Sequence, residues 1–113
     1  MATDVHAELK NCSISAQKMR LVVDLVRGKN AVEALNVLKF TTKTAARTVG
    51  KLLESAVSNA EENFGLSRDN LFIYKITADE APTRKWRRFG ARGRFKPLLR
   101  RSSHVSIVLR EKE

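Results

Sequence analysis

The sequence of 113 residues predicts an α+β fold in one domain. Apolar and polar residues alternate in three stretches, one near each end of the chain and one past its middle. This period of two is typical of half-buried strands. Between the first and second of these stretches, apolar residues recur with helical spacing in three consecutive segments. The order strand, three helices, strand, strand therefore favours helices packed with antiparallel strands.

The first strand and the first two helices are predicted from alternation and from capping residues. An apolar residue occupies every second position of 5–10, which predicts a strand. Ser15 is a typical N-cap and predicts a helix over 16–27, with Gly28 as its stop. Asn30 predicts the start of a second, shorter helix. Each helix carries an apolar stripe, so we expect both to lie against a common core.

The third helix is predicted from Thr44 to about Asn63 and is the longest. Its apolar residues keep the i, i+3, i+4, i+7 spacing throughout. Gly50 lies inside it, where glycine costs about 1 kcal/mol relative to alanine. We therefore expect close packing at Gly50. The apolar positions are Ala45, Ala46, Val49, Leu52, Leu53, Ala56, Val57 and Ala60.

Two further strands are predicted over 71–79 and 104–110. In the first of them, strict alternation assigns one face to Phe72, Tyr74, Ile76 and Ala78. The simplest arrangement pairs the two strands antiparallel, with the intervening segment as the long arm of a β-hairpin. An unstructured loop of that length would be unusual in a compact domain.

The arm, residues 84–101, carries nearly all of the formal net charge of +10. It has nine basic residues and no acid, whereas the rest of the chain has 13 basic and 12 acidic residues. We expect a single domain, 1–113, with a nearly neutral globular body, 1–83 and 102–113, and one polycationic element. Such a segment predicts a polyanionic partner. Its basic residues are Arg84, Lys85, Arg87, Arg88, Arg92, Arg94, Lys96, Arg100 and Arg101.

The composition of the arm favours structured RNA or single strands over diffuse attraction to any polyanion. Trp86, Phe89 and Phe95 are interleaved with arginines, and both kinds of side chain stack on bases. Gly90 and Gly93 allow the backbone to approach a crowded surface closely. The competing interpretation is a solvated, flexible basic loop.

Several classes of protein are not expected. No apolar run approaches the ~20 residues that span a bilayer, so no membrane partner is predicted. The first nine residues have neither signal-peptide nor transit-peptide character, and Cys12 is the single cysteine, which together predict a reducing cytosol. One cysteine and two histidines are too few for a zinc site of usual ligand count. We expect no metal and no cofactor.

An enzyme is also not expected, and no catalytic residue is assigned. A nuclease would need paired carboxylates for metals or a positioned acid and base. Asp79 and Glu80 are adjacent on a predicted strand, so they point to opposite faces. His104 is interpreted as a structural histidine.

Two groups of cations in the body are candidate RNA contacts. Lys18 and Arg20 lie beside a helix N-terminus, where cations are unfavourable for the helix dipole. RNA phosphates bound at this position would offset the unfavourable interaction with the dipole. The alternative is an ordinary solvent-exposed helix surface. Lys43, Arg47 and Lys51 form a basic stripe on the third helix, and it is equally well interpreted as a solvated face.

Four segments resemble, in order, one universal family: the large-subunit ribosomal protein twenty-two family. The first is SAQKMRLVVDLVRGK at 15–29, which resembles the first helix of that family. The others are LESA with NA at 53–60, DEAPT at 79–83, and RGR with RRSSHVSIVL between 92 and 109. The resemblance covers essentially the whole chain, from about Glu8 to Leu109.

The resemblance implies three helices packed on a small three-stranded antiparallel sheet, with a long protruding β-hairpin. It implies a structural protein that binds large-subunit rRNA, assists assembly and lines the nascent-peptide exit tunnel with its hairpin. The implied partners are rRNA, neighbouring large-subunit proteins and the nascent polypeptide, without an obligate homo-oligomer. The implied location is a cytoplasmic ribosome, with an organellar ribosome left open.

The expected rRNA contacts combine the resemblance with the charge pattern. They are Lys18, Arg20, Arg84, Lys85, Arg87, Arg88, Arg92, Arg94, Lys96, Arg100 and Arg101. The tunnel-lining tip is expected at Arg87, Arg88, Phe89, Gly90, Ala91, Arg92, Gly93 and Arg94. The alternative function is a free-standing, sequence-tolerant DNA- or RNA-binding protein, which composition alone would allow.

Overall fold

A computed structural model describes residues 4–81, 84–89 and 95–112; between 84 and 100 the description is of the backbone alone. The fold is α+β, as predicted. Most boundaries agree with the sequence patterns within one or two residues. The elements are β1 (Asp4–Cys12), α1 (Ala16–Val26), α2 (Ala31–Phe40), α3 (Thr44–Phe64), a 3-10 turn (Arg68–Asn70), β2 (Leu71–Glu80), β3 (Arg84–Phe89), β4 (Phe95–Arg100) and β5 (Ser103–Glu111).

Three strands form one antiparallel sheet in the order β1-β5-β2. The predicted antiparallel pairing of β2 with β5 is confirmed, with Ile76 opposite Ile107. On the other side of β5, β1 pairs antiparallel and brings Val5 opposite Leu109. The chain's last strand is therefore the centre of the sheet, and it ties the two ends of the sequence together.

The predicted face of β2 is wrong for its first half. Leu71 and Ile73 are buried, whereas Phe72 is half-buried and Tyr74 is 51% exposed. The register against β5 shifts between Ile73 and Lys75, so one extra residue stands in β2 at this point. A β-bulge of this kind moves every later side chain to the opposite face. After the shift, Ile76 and Ala78 are buried as expected.

Helix ends follow the capping chemistry of the sequence. The Ser15 side chain accepts from the Lys18 backbone N–H at 3.5 Å, and the Asn30 side chain accepts from Val32 N–H at 3.0 Å. Gly28 and Gly65 follow α1 and α3 with φ of 78° and 64°. Glycine reaches this left-handed region without the steric cost that a Cβ imposes, so each residue ends its helix sharply.

The three helices pack on one face of the sheet around a single core. Leu53 of α3 is fully buried there, among Met19 and Val23 of α1 and Ile107 of β5. At Gly50, a Cβ built on the backbone would meet Leu38 Cβ of α2 at 3.8 Å. That distance is an ordinary van der Waals contact, so a Cβ would fit at this position. The helices are therefore close at Gly50, but not so close that only glycine fits.

The arm forms a β-hairpin outside the main sheet. Strands β3 and β4 pair antiparallel in a separate two-stranded sheet, with Arg84 opposite Arg100 and Phe89 opposite Phe95. The chain has a Cα radius of gyration of 17.2 Å and a longest extent of 64 Å. A compact domain of this length would have a radius of about 13 Å. The molecule is accordingly elongated, in keeping with a protruding hairpin.

Hydrogen bonds fix the base of this hairpin against the start of α1. The Ala81 N–H donates to Ser102 O at 3.0 Å, which extends the pairing of β2 with β5 toward the hairpin. Ser103 is fully buried, and its hydroxyl donates to Ile14 O at 2.7 Å. Because Ile14 lies in the segment that leads into α1, these bonds bring Arg101 close to the N-terminus of that helix.

Candidate nucleic-acid interface

A groove of about 890 Å³ lies where α1, α3 and the hairpin base meet. We call it the cationic groove. Three of its lining residues are basic: Lys18 of α1, Lys43 at the start of α3, and Arg101 just before β5. All three are exposed. Its remaining lining residues are Ser13, Ile14, Ser15, Leu21, Thr42, Thr44 and Ala45, so no acid lines the groove.

Two helix N-termini open onto the cationic groove and add to its positive potential. Helix α1 begins after Ser15 and α3 begins after Lys43, and neither has an acidic residue in its first turn. Lys43 makes no side-chain capping bond to α3. The first backbone N–H groups of a helix carry partial positive charge and favour anions. Cations at this position therefore raise a potential that is already positive, which suits a phosphate ligand.

Within the described residues, no carboxylate forms an ion pair with the three cations of the groove. The ion pairs of the body involve other cations: Arg27 with Asp24, Lys29 with Glu33, Arg68 with Glu54 and Glu61, and Arg110 with Asp4. Glu80 lines a smaller neighbouring pocket together with Arg101. The positive charge of the groove is therefore available to an anionic partner.

A second basic surface adjoins the first through Lys43. It is a depression of about 470 Å³ at the α2–α3 connection, and we call it the loop patch. Lys39, Lys43 and Arg47 are its charged lining residues, and no acid lines it. Lys51 continues the row one turn further along α3, beside Glu54. The predicted stripe of Lys43, Arg47 and Lys51 is exposed on α3.

Arg20, an expected rRNA contact, already has a partner within the chain. It is exposed, and its Nε donates to Ala78 O of β2 at 3.1 Å. Arg27, which the sequence analysis did not single out, donates to Ile76 O at 3.1 Å and to Asp24 at 2.7 Å. Both arginines satisfy carbonyls on the edge strand of the sheet. Arg20 and Arg27 are seven residues apart, about two helical turns. This spacing places them on the same face of α1 and was the only sign in the sequence that they share a role.

Six of the expected arm contacts lie on the described strands. Arg84, Lys85, Arg87 and Arg88 are on β3, and Lys96 and Arg100 are on β4. The register brings Arg84 opposite Arg100 and Arg88 opposite Lys96. Of the expected tip, Gly90, Ala91, Arg92, Gly93 and Arg94 lie outside the described residues.

The pKa values that depart from their usual range belong to structural pairs elsewhere. Arg110 donates to both carboxylate oxygens of Asp4, at 2.7 and 3.1 Å, and this lowers the pKa of Asp4 and raises that of Arg110. The Arg110 guanidinium also stacks 3.5 Å from the centre of the Tyr74 ring. Hydrogen bonds to Glu61 raise the pKa of Arg68. These pairs lie toward the end of the sheet away from the cationic groove.

His104 has a structural hydrogen bond. Its Nδ1 accepts from the Asn11 backbone N–H at 3.0 Å, where β1 shifts register and Asn11 has a φ of 55°. Across the described ranges, no cluster of histidine, cysteine and carboxylate side chains is arranged to hold a metal ion. None of the helices there is long and apolar enough to cross a membrane.

The fold and this surface define a class: a small basic α+β protein with a cation-lined groove and a polycationic hairpin. Residues 7–110 match the family described as ribosomal protein L22p/L17e. The chain is 47% identical over 111 residues to the large ribosomal subunit protein uL22 of Pediococcus pentosaceus, covering 98% of this chain and 94% of that protein. It is 50% identical over 110 residues to the protein of the same name from a Thermoanaerobacter species, covering 97% and 99%.

The chain therefore belongs to the L22p/L17e family of ribosomal proteins. The resemblance seen in the sequence motifs is confirmed. The family match begins inside β1 and ends inside β5, so it spans the sheet, the helices and the hairpin.

Proposed function

We propose that this protein is a structural, non-catalytic component of the large ribosomal subunit and that it binds large-subunit rRNA. One observation carries the proposal. Lys18, Lys43 and Arg101 come from separate segments, line one groove at two helix N-termini, and have no ion-pair partner among the described carboxylates. Membership of a ribosomal protein family makes RNA the expected polyanion. On this proposal the protein is ribosome-bound in the cytoplasm.

The hairpin is the second half of the proposed interface. Like charges directly opposite each other destabilise an antiparallel pair, and the register opposes Arg84 to Arg100 and Arg88 to Lys96. A hairpin with this pattern is stabilised when phosphates lie along it. The proposed rRNA contacts are Lys43 of the cationic groove and the residues predicted from the sequence, which are Lys18, Arg20, Arg84, Lys85, Arg87, Arg88, Arg92, Arg94, Lys96, Arg100 and Arg101.

The resemblance to the family supports a more specific role for the hairpin. We infer that the body, 1–83 and 102–113, anchors the protein on rRNA, while the hairpin lines the nascent-peptide exit tunnel with 87–94 at its tip. Its further partners are neighbouring ribosomal proteins and the nascent polypeptide in transit, and binding of rRNA assists assembly. The elongated shape, 64 Å in its longest extent, suits an element that reaches away from its anchor.

Competition binding tests this proposal against a free-standing, sequence-tolerant nucleic-acid-binding protein. Labelled, deproteinised large-subunit rRNA is bound to the protein at fixed salt and then challenged with unlabelled large-subunit rRNA or duplex DNA of equal phosphate content. Fixed salt is essential because phosphate contacts make affinity strongly salt-dependent. We expect the rRNA to compete better by at least about tenfold, a threshold well below the ratio of about 10³ or more that is typical of specific over non-specific binding. Equal competition by duplex DNA would contradict the proposal.

A further inference from the structure

Phe40 is the most exposed large hydrophobic side chain in the described part of the chain, at 81%. It is the last residue of α2. Two hydrogen bonds hold the backbone that follows it: the Thr41 N–H donates to Leu38 O at 3.3 Å, and the Thr41 hydroxyl donates to Val37 O at 2.7 Å. The ring therefore projects into solvent from a helix end that is hydrogen-bonded in place. A single exposed apolar side chain is common on protein surfaces, so what Phe40 could bind is decided by the residues around it.

The neighbours of Phe40 indicate the chemistry of that partner. The ring lines the loop patch together with Lys39, Lys43 and Arg47, and no acid lines this depression. Lys43 and Arg47 are four residues apart, about 6 Å along the helix axis, which suits neighbouring phosphates of one strand. A purely apolar protein partner would gain nothing from these cations and would have to desolvate them. A nucleotide offers a flat ring and a phosphate together.

We propose that Phe40 stacks on an unpaired base of large-subunit rRNA while Lys43 and Arg47 contact the phosphates beside that base. The inference rests on the proposed function, since it takes rRNA as the partner. It adds a stacking contact on the body of the protein, distinct from the aromatic residues of the hairpin. It also extends the cationic groove, because Lys43 lines both surfaces.

Variants of Phe40 test the contact by binding to deproteinised large-subunit rRNA over a series of KCl concentrations. Phe40→Ala removes the ring, and we expect about a tenfold loss of affinity, which corresponds to ~1.4 kcal/mol and lies within the range for base stacking. Phe40→Leu keeps an apolar side chain without a ring and should also lose affinity. Phe40→Trp keeps a stacking surface and should bind as tightly as the wild type.

The matched control is Phe64→Ala. Phe64 is also a helix-terminal phenylalanine and is 49% exposed, but it lies at the C-terminus of α3, beside acidic Glu61 and Glu62. The affinity of the Phe64→Ala variant for rRNA should equal that of the wild type. Because a ring carries no charge, the slope of log affinity against log salt should be the same for Phe40→Ala and the wild type. Thermal melts check that all variants are folded.

The outcomes separate this inference from the proposed function. If the wild-type protein does not prefer large-subunit rRNA to duplex DNA, the proposed function fails. If that preference holds but Phe40→Ala binds like the wild type, the stacking contact alone is refuted. If Phe40→Leu binds like the wild type while Phe40→Ala does not, the side chain fills an apolar pocket instead of stacking, and the inference is also refuted.

Discussion

Replacing Lys18 and Lys43 together by glutamine should weaken rRNA binding in a way that depends on salt. Both side chains line the cationic groove and have no ion-pair partner among the described residues. Each phosphate contact contributes ~0.7–0.9 to the slope of log affinity against log salt. Losing two contacts should therefore reduce the slope by about 1.4–1.8. If the two lines meet near 1 M salt, the affinity at 0.1 M falls by about 25- to 60-fold.

The matched control removes two charges from elsewhere on the body. Lys75 and Lys112 are both exposed, and Lys112 follows the end of β5 that is farthest from Arg101. A strand of nine residues spans about 30 Å, which separates Lys112 from the groove, and Lys75 does not line the groove either. This pair therefore tests the loss of two charges outside the groove. All four lysines are exposed, so we expect the substitutions to change the free energy of unfolding by no more than about 0.5 kcal/mol.

Filter binding or fluorescence anisotropy with large-subunit rRNA, from low to high KCl, gives the two slopes directly. The groove variant should show the reduced slope, and the Lys75→Gln/Lys112→Gln variant should stay close to the wild type. Equal losses in both variants would mean that the protein attracts RNA through its overall charge. That result would refute the assignment of the cationic groove as a binding site.

Three further predictions concern the body. Gly50→Ala should raise the free energy of unfolding in urea by up to about 1 kcal/mol, because alanine is favoured over glycine in a helix interior and its Cβ would make an ordinary van der Waals contact with Leu38 at 3.8 Å. A loss of stability would show that the packing at this site is tighter than that distance indicates. Leu53→Ala should lower the free energy of unfolding by ~2–5 kcal/mol and the melting temperature with it, because Leu53 is fully buried. Deletion of 87–94 should leave the melting temperature nearly unchanged. Comparable losses of melting temperature in the two variants would contradict a body that folds without the tip of the hairpin. Asp4→Asn should lower the melting temperature at neutral pH, because Arg110 holds the pKa of Asp4 below 3.8 and the ionised pair stabilises the fold above that pH. This difference should shrink as the pH falls through the lowered pKa, and a constant difference would refute the ion pair as its cause.

The helices were predictable because their signals are local. A five-turn apolar stripe and the cap at Ser15 lie within single segments of sequence, and both survive in the fold. The bulge in β2 was not predictable in this way. It depends on how Lys75 meets Val108 of the partner strand, and strict alternation therefore assigned Tyr74 to the wrong face.

The candidate interface was predictable only in part for the same reason. Charge counting finds the hairpin, since its cations are contiguous in sequence. The cationic groove instead joins residues 18, 43 and 101, and only the tertiary structure brings them together. Phe40 gave no signal, because an apolar residue at a helix end is indistinguishable in sequence from one that is buried.

Sedimentation of a cell extract tests the central claim most directly. The extract is resolved on a sucrose gradient after a high-salt wash, and the protein is followed by mass spectrometry across the fractions. We expect stoichiometric co-migration with the large ribosomal subunit that survives the wash, since contacts along a groove and a hairpin hold the protein at many points. A protein that remains at the top of the gradient, or that modest salt removes, would contradict its assignment as a component of the large subunit.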